Sequence, residues 1–296
     1  MTLTTISMPL RRQPPGLAVK LVQHPEGRLG GALLALLVLA ALLVPVISPY
    51  GPNQLSKQDA LQGPSTRHWF GTDELGRDQL RRVAAAAPIA FYVSGASVAI
   101  ALVLGSAMGL IAGYAGGIVD VILNWVIGIL FSMPALLLAL VVVGVFGPGL
   151  NNALGAVAIV YVPRFARIAR ASTLSVRHRL FIEAARLAGR KPHQILLEHV
   201  VPNILPVVIV QTALSLSTAE LAHASLSFLG LGVQPPGADW GNMLAKARGL
   251  MTVAPWLVIF PALALVLLII AFNMLGDALR DVLDPRRHTG AAGTGV

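Results

Sequence analysis

The chain contains no cysteine, and only 12% of its 296 residues are charged and 6% aromatic. Without cysteine it cannot form disulfides, thiolate nucleophiles or cysteine-ligated zinc sites. A soluble domain carries about twice this charged fraction. Because 55% of the residues are hydrophobic and the mean hydropathy is +0.74, the composition predicts an integral membrane protein.

The sequence instead contains several long apolar runs. A helix needs about 20 apolar residues to cross a bilayer. Glycine, proline and asparagine in FGPGLNN, residues 146–152, divide one run that is too long for a single crossing. We therefore predict an all-α, polytopic fold with six transmembrane helices, at residues 29–47, 88–113, 118–145, 153–171, 204–229 and 252–275.

The net charge of +9 allows two interpretations, a nucleic-acid partner or a set of cytoplasmic loops. In membrane proteins an excess of lysine and arginine marks the cytoplasmic segments, so we expect no nucleic acid. Most of the 22 basic residues fall in residues 1–28, 164–191 and 280–287. This distribution predicts a multi-pass protein of the plasma membrane with both termini in the cytoplasm, the tails being residues 1–28 and 278–296.

A charged segment, FIEAARLAGRKPHQILLEHVVPN, residues 181–203, interrupts the apolar runs on the predicted cytoplasmic side. Ala184 and Ala185 favour a helix, Gly189 ends it, and Pro192 suits the first turn of another. The segment therefore predicts two short helices joined at a glycine and projecting from the membrane. Two roles remain open on physical grounds: docking to a protein, or lying on anionic lipid.

The same segment resembles the EAA loop of bacterial ABC-importer permeases. The resemblance implies a loop, within residues 172–203, whose coupling helices sit in a groove of a cytoplasmic ATPase subunit. The residues that it assigns to this role are Glu183, Ala184, Ala185, Arg186, Gly189 and Pro202. The sequence departs from the family pattern at His199 and Val201, where isoleucine and leucine are usual.

Two further motifs, HWFGTDELGRD (68–78) and ASLSFLGLGVQPPGADWGNML (224–244), resemble the C-type permeases of dipeptide, oligopeptide and nickel importers. The resemblance implies an extracytoplasmic loop over residues 48–87 and an ABC transmembrane type-1 domain of five helices over residues 88–277. It also implies three kinds of partner: a second homologous permease, cytoplasmic ABC ATPase subunits and an extracytoplasmic substrate-binding protein.

The function expected from this resemblance is a permease subunit that moves di- or oligopeptides into the cytoplasm by alternating access. A nickel-chelate or glutathione importer of the same family stays open. A self-sufficient secondary transporter is disfavoured, because no internal repeat is evident.

We expect no enzymatic activity, metal or cofactor in this chain. The spacing from Gly71 to Gly76 is that of a phosphate-binding loop. Arg77 and Asp78, however, occupy the positions where such a loop needs Lys and Ser/Thr. ATP is therefore expected to be used by separate subunits.

Glu220 and His223 are ionisable residues within a predicted span, where such residues are functional candidates. They lie three residues apart and so share a helix face. Either they contact substrate along the transport path, or they pair with each other and fix helix packing, which we favour. Gly105, Gly109 and Gly113 form a ladder of small residues that predicts close contact between helices.

Overall fold

The computed structural model describes residues 16–283, which form helices joined by short connections and contain no β-strand. The long helices are α2 (Pro25–Ile47), α3 (Gln79–Ala115), α6 (Leu150–Val176), α9 (Val201–Phe228) and α11 (Trp256–Leu283). The shorter ones are α1 (Leu17–Gln23), α4 (Gly117–Ser132), α5 (Ala135–Phe146), α7 (Leu180–Leu187), α8 (Pro192–Ile195) and α10 (Trp240–Ala247). The prediction of an all-α fold is confirmed for this part of the chain.

Four helices of the described chain are long and apolar enough to cross a membrane, and a fifth crossing is available if α4 and α5 count as one span. The predicted single span at 118–145 is not one helix, because α4 and α5 meet at an angle of 94°. The bend lies at Met133, whose extended conformation (φ −92°, ψ 138°) is the one that a following proline, Pro134, favours. Helix α6 is not among these candidates, since three arginines (Arg164, Arg167 and Arg170) lie in its second half.

The predicted fifth span also differs from the structure. A continuous helical segment of 37 residues runs from Pro192 to Phe228, so Pro202 lies inside it rather than at its start. A π-helical turn, Leu196–Val200, immediately precedes this proline. Proline cannot donate the backbone hydrogen bond of a regular α-helix, and a local widening of the helix is one way to accommodate it.

The core of the bundle is the contact between α3 and α6, and the glycine ladder makes this contact close. A Cβ added to Gly105 would lie 2.4 Å from the carbonyl oxygen of Val162. A Cβ at Gly109 would lie 2.2 Å from that of Ala166, and one at Gly113 would also collide with α6. The predicted role of the ladder in packing is confirmed. Helix α9 packs beside this pair, and α11 packs against both α2 and α9.

Two non-membrane elements lie between helices of the bundle. Residues 48–78, between α2 and α3, form what we call the loop-side segment, which contacts α10 and the start of α11. Residues 180–200, between α6 and α9, comprise α7, α8 and the π-turn, and we call them the knob. The knob packs against α6 and α9 and carries most of the residues assigned to the candidate site.

Candidate functional site

The first helix of the knob, α7, ends in a glycine-dependent cap. The backbone N–H of Gly189 donates to the carbonyl of Arg186 at 3.0 Å, and that of Arg190 donates to the carbonyl of Ala185 at 3.1 Å. This pair of bonds is a Schellman motif, which requires a left-handed residue after the helix. Gly189 supplies it with φ +77°.

Within residues 16–283, and apart from the two neighbouring residues, no atom lies within 4 Å of the position that a Cβ at Gly189 would occupy. The glycine is therefore required by the backbone conformation and not by crowding inside the chain. The predicted end of the helix at Gly189 is confirmed, and its consequence is a fixed angle between the two arms of the knob.

The second arm begins at Pro192, the first residue of α8, as the sequence predicts. The side-chain oxygen of Gln194 accepts a hydrogen bond from the backbone N–H of Lys191 at 3.0 Å, which satisfies one free donor at the helix start. This arm continues through the π-turn into α9 without a break, so the second arm of the knob and this long apolar helix form one continuous helical segment.

One face of the knob is anchored to the bundle. Ile182, Ile195 and Val200 are all less than 2% exposed and pack in a single apolar cluster with residues of α6 and α9. The guanidinium of Arg186 lies 5.3 Å from the ring centre of Tyr114, at the end of α3. Cation–π contact at this distance is favourable. The knob is thus a packed part of the fold rather than a free loop.

The opposite face exposes large apolar side chains. Leu187 is 90% exposed, Leu180 is 83% exposed and Leu197 is 67% exposed. The knob that carries these three leucines also exposes charged residues, including Arg190 and Glu198, whose side chains form a half-exposed ion pair at 3.0 Å. Exposed apolar groups rimmed by charge are typical of a surface that a protein partner covers.

The residues predicted for this site are placed as follows. Glu183, Ala184, Arg186 and Gly189 are exposed on the knob, and Ala185 is half-buried beneath them. Pro202 is exposed on α9, beyond the π-turn and outside the knob itself. The sequence analysis did not single out the three leucines, although hydrophobic residues on a charged segment were a signal that could have identified them.

Glu220 and His223 lie in the interior of the chain, each 1% exposed. The Nδ1 of His223 is 3.6 Å from the Oε2 of Glu220, which is ion-pair range and longer than a hydrogen bond. The other ring nitrogen, Nε2, is closer to Asp239, at 3.3 Å from its Oδ2. Asp239 is also buried and caps α10 by accepting from the backbone N–H of Asn242.

This triad of Glu220, His223 and Asp239 joins α9 to α10. Sequence analysis missed Asp239, although an acidic residue inside the motif 224–244 was a visible signal.

Two family patterns match the chain. The family described as "Binding-protein-dependent transport system inner membrane component" matches residues 105–289, and the "N-terminal TM domain of oligopeptide transport permease C" matches residues 19–64. The chain belongs to this family of ABC transport permeases. The membership confirms the family that the motifs suggested, and it agrees with the apolar helices of this permease.

Curated relatives cover most of the permease. A dipeptide transport system permease of Alkalihalophilus pseudofirmus is 41% identical over 257 residues, which is 87% of this chain and 84% of the relative. A di/tripeptide permease of Pseudomonas aeruginosa is 40% identical, covering 90% of this chain and 91% of the relative. A glutathione permease of Escherichia coli O157:H7 is 43% identical, and the match covers 85% of this chain and 83% of the relative.

Among solved structures, a chain of the MetNI methionine ABC transporter in an inward-facing conformation superposes with a TM-score of 0.57. It is 18% identical and covers 69% of this permease and 96% of that chain. At this identity the likeness supports the fold alone.

Proposed function

We propose that this permease is a transmembrane subunit of an ATP-driven importer of dipeptides and other short peptides. The relatives named for dipeptides and for di- and tripeptides cover nearly the whole chain, and this similarity supports the substrate class. The substrate would be delivered by an extracytoplasmic binding protein and would cross between this subunit and a second, homologous permease.

The arrangement in the membrane is part of the proposal. The six crossings would be α2, α3, the bent pair α4–α5, α6, α9 and α11, with both termini in the cytoplasm. The basic residues of the knob and of the end of α6 support this orientation, because cytoplasmic segments are rich in lysine and arginine.

ATP would be bound and hydrolysed by separate cytoplasmic subunits that dock on the knob. This step is supported by the exposed leucines of the knob, Leu180, Leu187 and Leu197, which we call the leucine face. The knob continues without interruption into α9. Closure of the ATPase would move the knob and, through α9, the transport path. The purified permease alone is expected to hydrolyse no ATP.

The coupling role is tested by two substitutions on the knob. Gly189→Val imposes a side chain on a left-handed backbone, so it should displace the knob and uncouple ATP hydrolysis from uptake. Glu183→Lys reverses an acidic charge among basic ones and should reduce retention of the ATPase in isolated membranes. Lys57→Glu, a charge reversal in the loop-side segment, serves as the control.

The same measurements separate protein docking from attachment to lipid. A knob that only lay on anionic lipid would bind it more strongly after Glu183→Lys and would leave uptake unchanged. Normal uptake and normal ATPase retention in both knob variants would refute the coupling role.

A glutathione importer is the second candidate, and the 43% identity to a glutathione permease supports it. Glutathione is itself a small peptide, so the two substrates share backbone and carboxylate groups. Uptake of labelled dipeptides and of labelled glutathione by the assembled transporter distinguishes them. Transport of glutathione without dipeptides would replace the first candidate with the second.

A further inference from the structure

A small cavity lies where the loop-side segment and the start of α3 meet α10. Its volume is about 20 Å³, and its charged lining consists of Asp73, Glu74, Arg77, Arg82 and Lys246. A space of this size holds one water-sized group. We propose that this cavity is an anion-binding site that receives one oxygen atom of a carboxylate group.

Arg77 provides donors that the chain itself does not use. Its side chain is 5% exposed, and its Nε donates to the Oδ2 of Asp73 at 2.7 Å. Its two terminal nitrogens make no hydrogen bond within residues 16–283. A guanidinium carries five N–H donors, and its hydrogen bonds to carboxylate oxygens are strong because both groups are charged. Arg77 therefore keeps unused donors at the wall of the cavity.

Arg82 is held rigidly beside it. One terminal nitrogen of Arg82 donates to the carbonyl of Pro52 and to the side-chain oxygen of Asn53, both at 3.0 Å. The side chain is 3% exposed, and its Nε lies 3.8 Å from the Oδ2 of Asp73. Asp73 thus faces two buried guanidinium groups and can neutralise only one.

Lys246 adds a third cation, which makes no hydrogen bond or salt bridge within the described residues. Lys246 is exposed overall, but partial burial, followed by repulsion from Arg77 and Arg82, lowers the pKa of its ammonium, and Glu74 and Asp73 oppose this only in part. The cavity therefore has three cations against two carboxylates, and a bound anion would relieve the repulsion.

The carboxylate can come from two sources, which share the same chemistry. It can be an acidic side chain of a protein docked on this end of the permease. It can also be a free carboxylate, such as the C-terminus of a peptide.

Lysine methyl groups provide a direct measurement, because the chain has only four lysines: Lys20, Lys57, Lys191 and Lys246. We would label them by ¹³C reductive methylation in the full chain in nanodiscs and assign Lys246 by its loss in Lys246→Arg. Titration with sodium acetate should shift the Lys246 signal saturably. Lys57, which is exposed in the loop-side segment, is the internal control and should not shift.

A variant sharpens the test without disturbing the buried pairs. Glu74 is exposed, and Glu74→Gln removes one of the two opposing carboxylates. The affinity for acetate should rise about threefold, as expected for an exposed charge near the ligand. If Glu74→Gln left the affinity for acetate unchanged, this result would contradict the excess of cations over carboxylates that we assign to the cavity.

The source of the carboxylate is distinguished by adding the unlabelled external binding protein. If the binding protein shifts the Lys246 signal and added acetate reverses this shift, the site is assigned to an acidic side chain of that protein. A shift with acetate alone would assign it to free carboxylates. An equal response to chloride, or no Lys246 shift at acetate concentrations where Lys57 begins to move, would overturn the proposal. The acetate titration does not depend on the transport function, so its outcome and that of the uptake assay are independent.

Discussion

The loop-side segment and the knob are both non-membrane elements, yet they place their charged groups differently. In the loop-side segment several charged groups are buried and paired: Asp73 bonds Arg77, and Asp78 lies 2.9 Å from the Nδ1 of His68. In the knob the charges are exposed, and leucines point outward. The first element thus pairs its buried carboxylates inside the chain, whereas the second leaves charges and leucines exposed.

Substitution of Asp73 should give the largest effect on stability. Asp73→Ala leaves the buried Arg77 and Arg82 without their carboxylate, and breaking a buried pair in this way costs about 3–5 kcal/mol. Thermal unfolding in detergent, together with proteolysis of residues 48–78, measures the loss. Glu74→Ala is the matched control, because this neighbouring acid is exposed and should change stability little. An equal loss of stability in Asp73→Ala and Glu74→Ala would contradict the difference between the buried and the exposed acid.

A charge in the leucine face should affect assembly rather than stability. Burial of a leucine in a partner contributes about 1.5–3 kcal/mol, so Leu187→Asp should weaken retention of the ATPase about tenfold or more. The unfolding temperature of the permease should stay unchanged, since Leu187 is 90% exposed. Leu55→Asp, at a 64% exposed leucine of the loop-side segment, is the control. Full retention after Leu187→Asp would show that this face carries no partner.

The addition of a single methyl group at Gly189 should weaken the cap that ends α7. Gly189→Ala places a Cβ on a residue with φ +77° and should destabilise the knob by about 1 kcal/mol. Gly155→Ala is the control, because Gly155 lies inside α6 and also has open space around its Cβ position. There alanine should be neutral or stabilising. Hydrogen exchange of residues 180–195 measures the difference, and equal protection in both variants would contradict it.

The exposed ion pair of the knob should give the smallest effect. Arg190 and Glu198 are 50% and 46% exposed in their side chains, and pairs of this kind contribute about 0–1 kcal/mol. Glu198→Gln should therefore leave the unfolding temperature within error of the wild type at physiological salt. A loss as large as that of Asp73→Ala would show that the knob, too, depends on internal pairing.

Much of the fold was predictable from local sequence patterns. The break after Phe146, the cap at Gly189 and the packing of the glycine ladder each depend on residues whose backbone preference or small size acts locally. The bend between α4 and α5 was not predicted, because hydropathy is continuous across it. Pro134 marked the place, but a proline can equally lie within a long helix, as Pro88 does in α3.

The position of the knob was predictable from the sequence, but its exposed surface was not. The sequence indicated Glu183, Ala184, Ala185 and Gly189 through a motif, whereas the exposed leucines could be recognised only once the buried face was known. The same holds for the pairing of His223. Its neighbour in sequence, Glu220, was the expected partner, but Asp239 in α10 is closer.

The sequence by itself determined that this chain is a helical membrane protein, because composition and apolar run length reflect the transfer of residues into lipid. It also determined where the knob turns, because a left-handed residue at a helix end favours glycine. The tertiary structure alone decided which side of the knob stays exposed, which charges share the loop-side cavity, and how α9 continues from the knob. The first two features depend on contacts between residues far apart in the chain, and only packing brings such residues together.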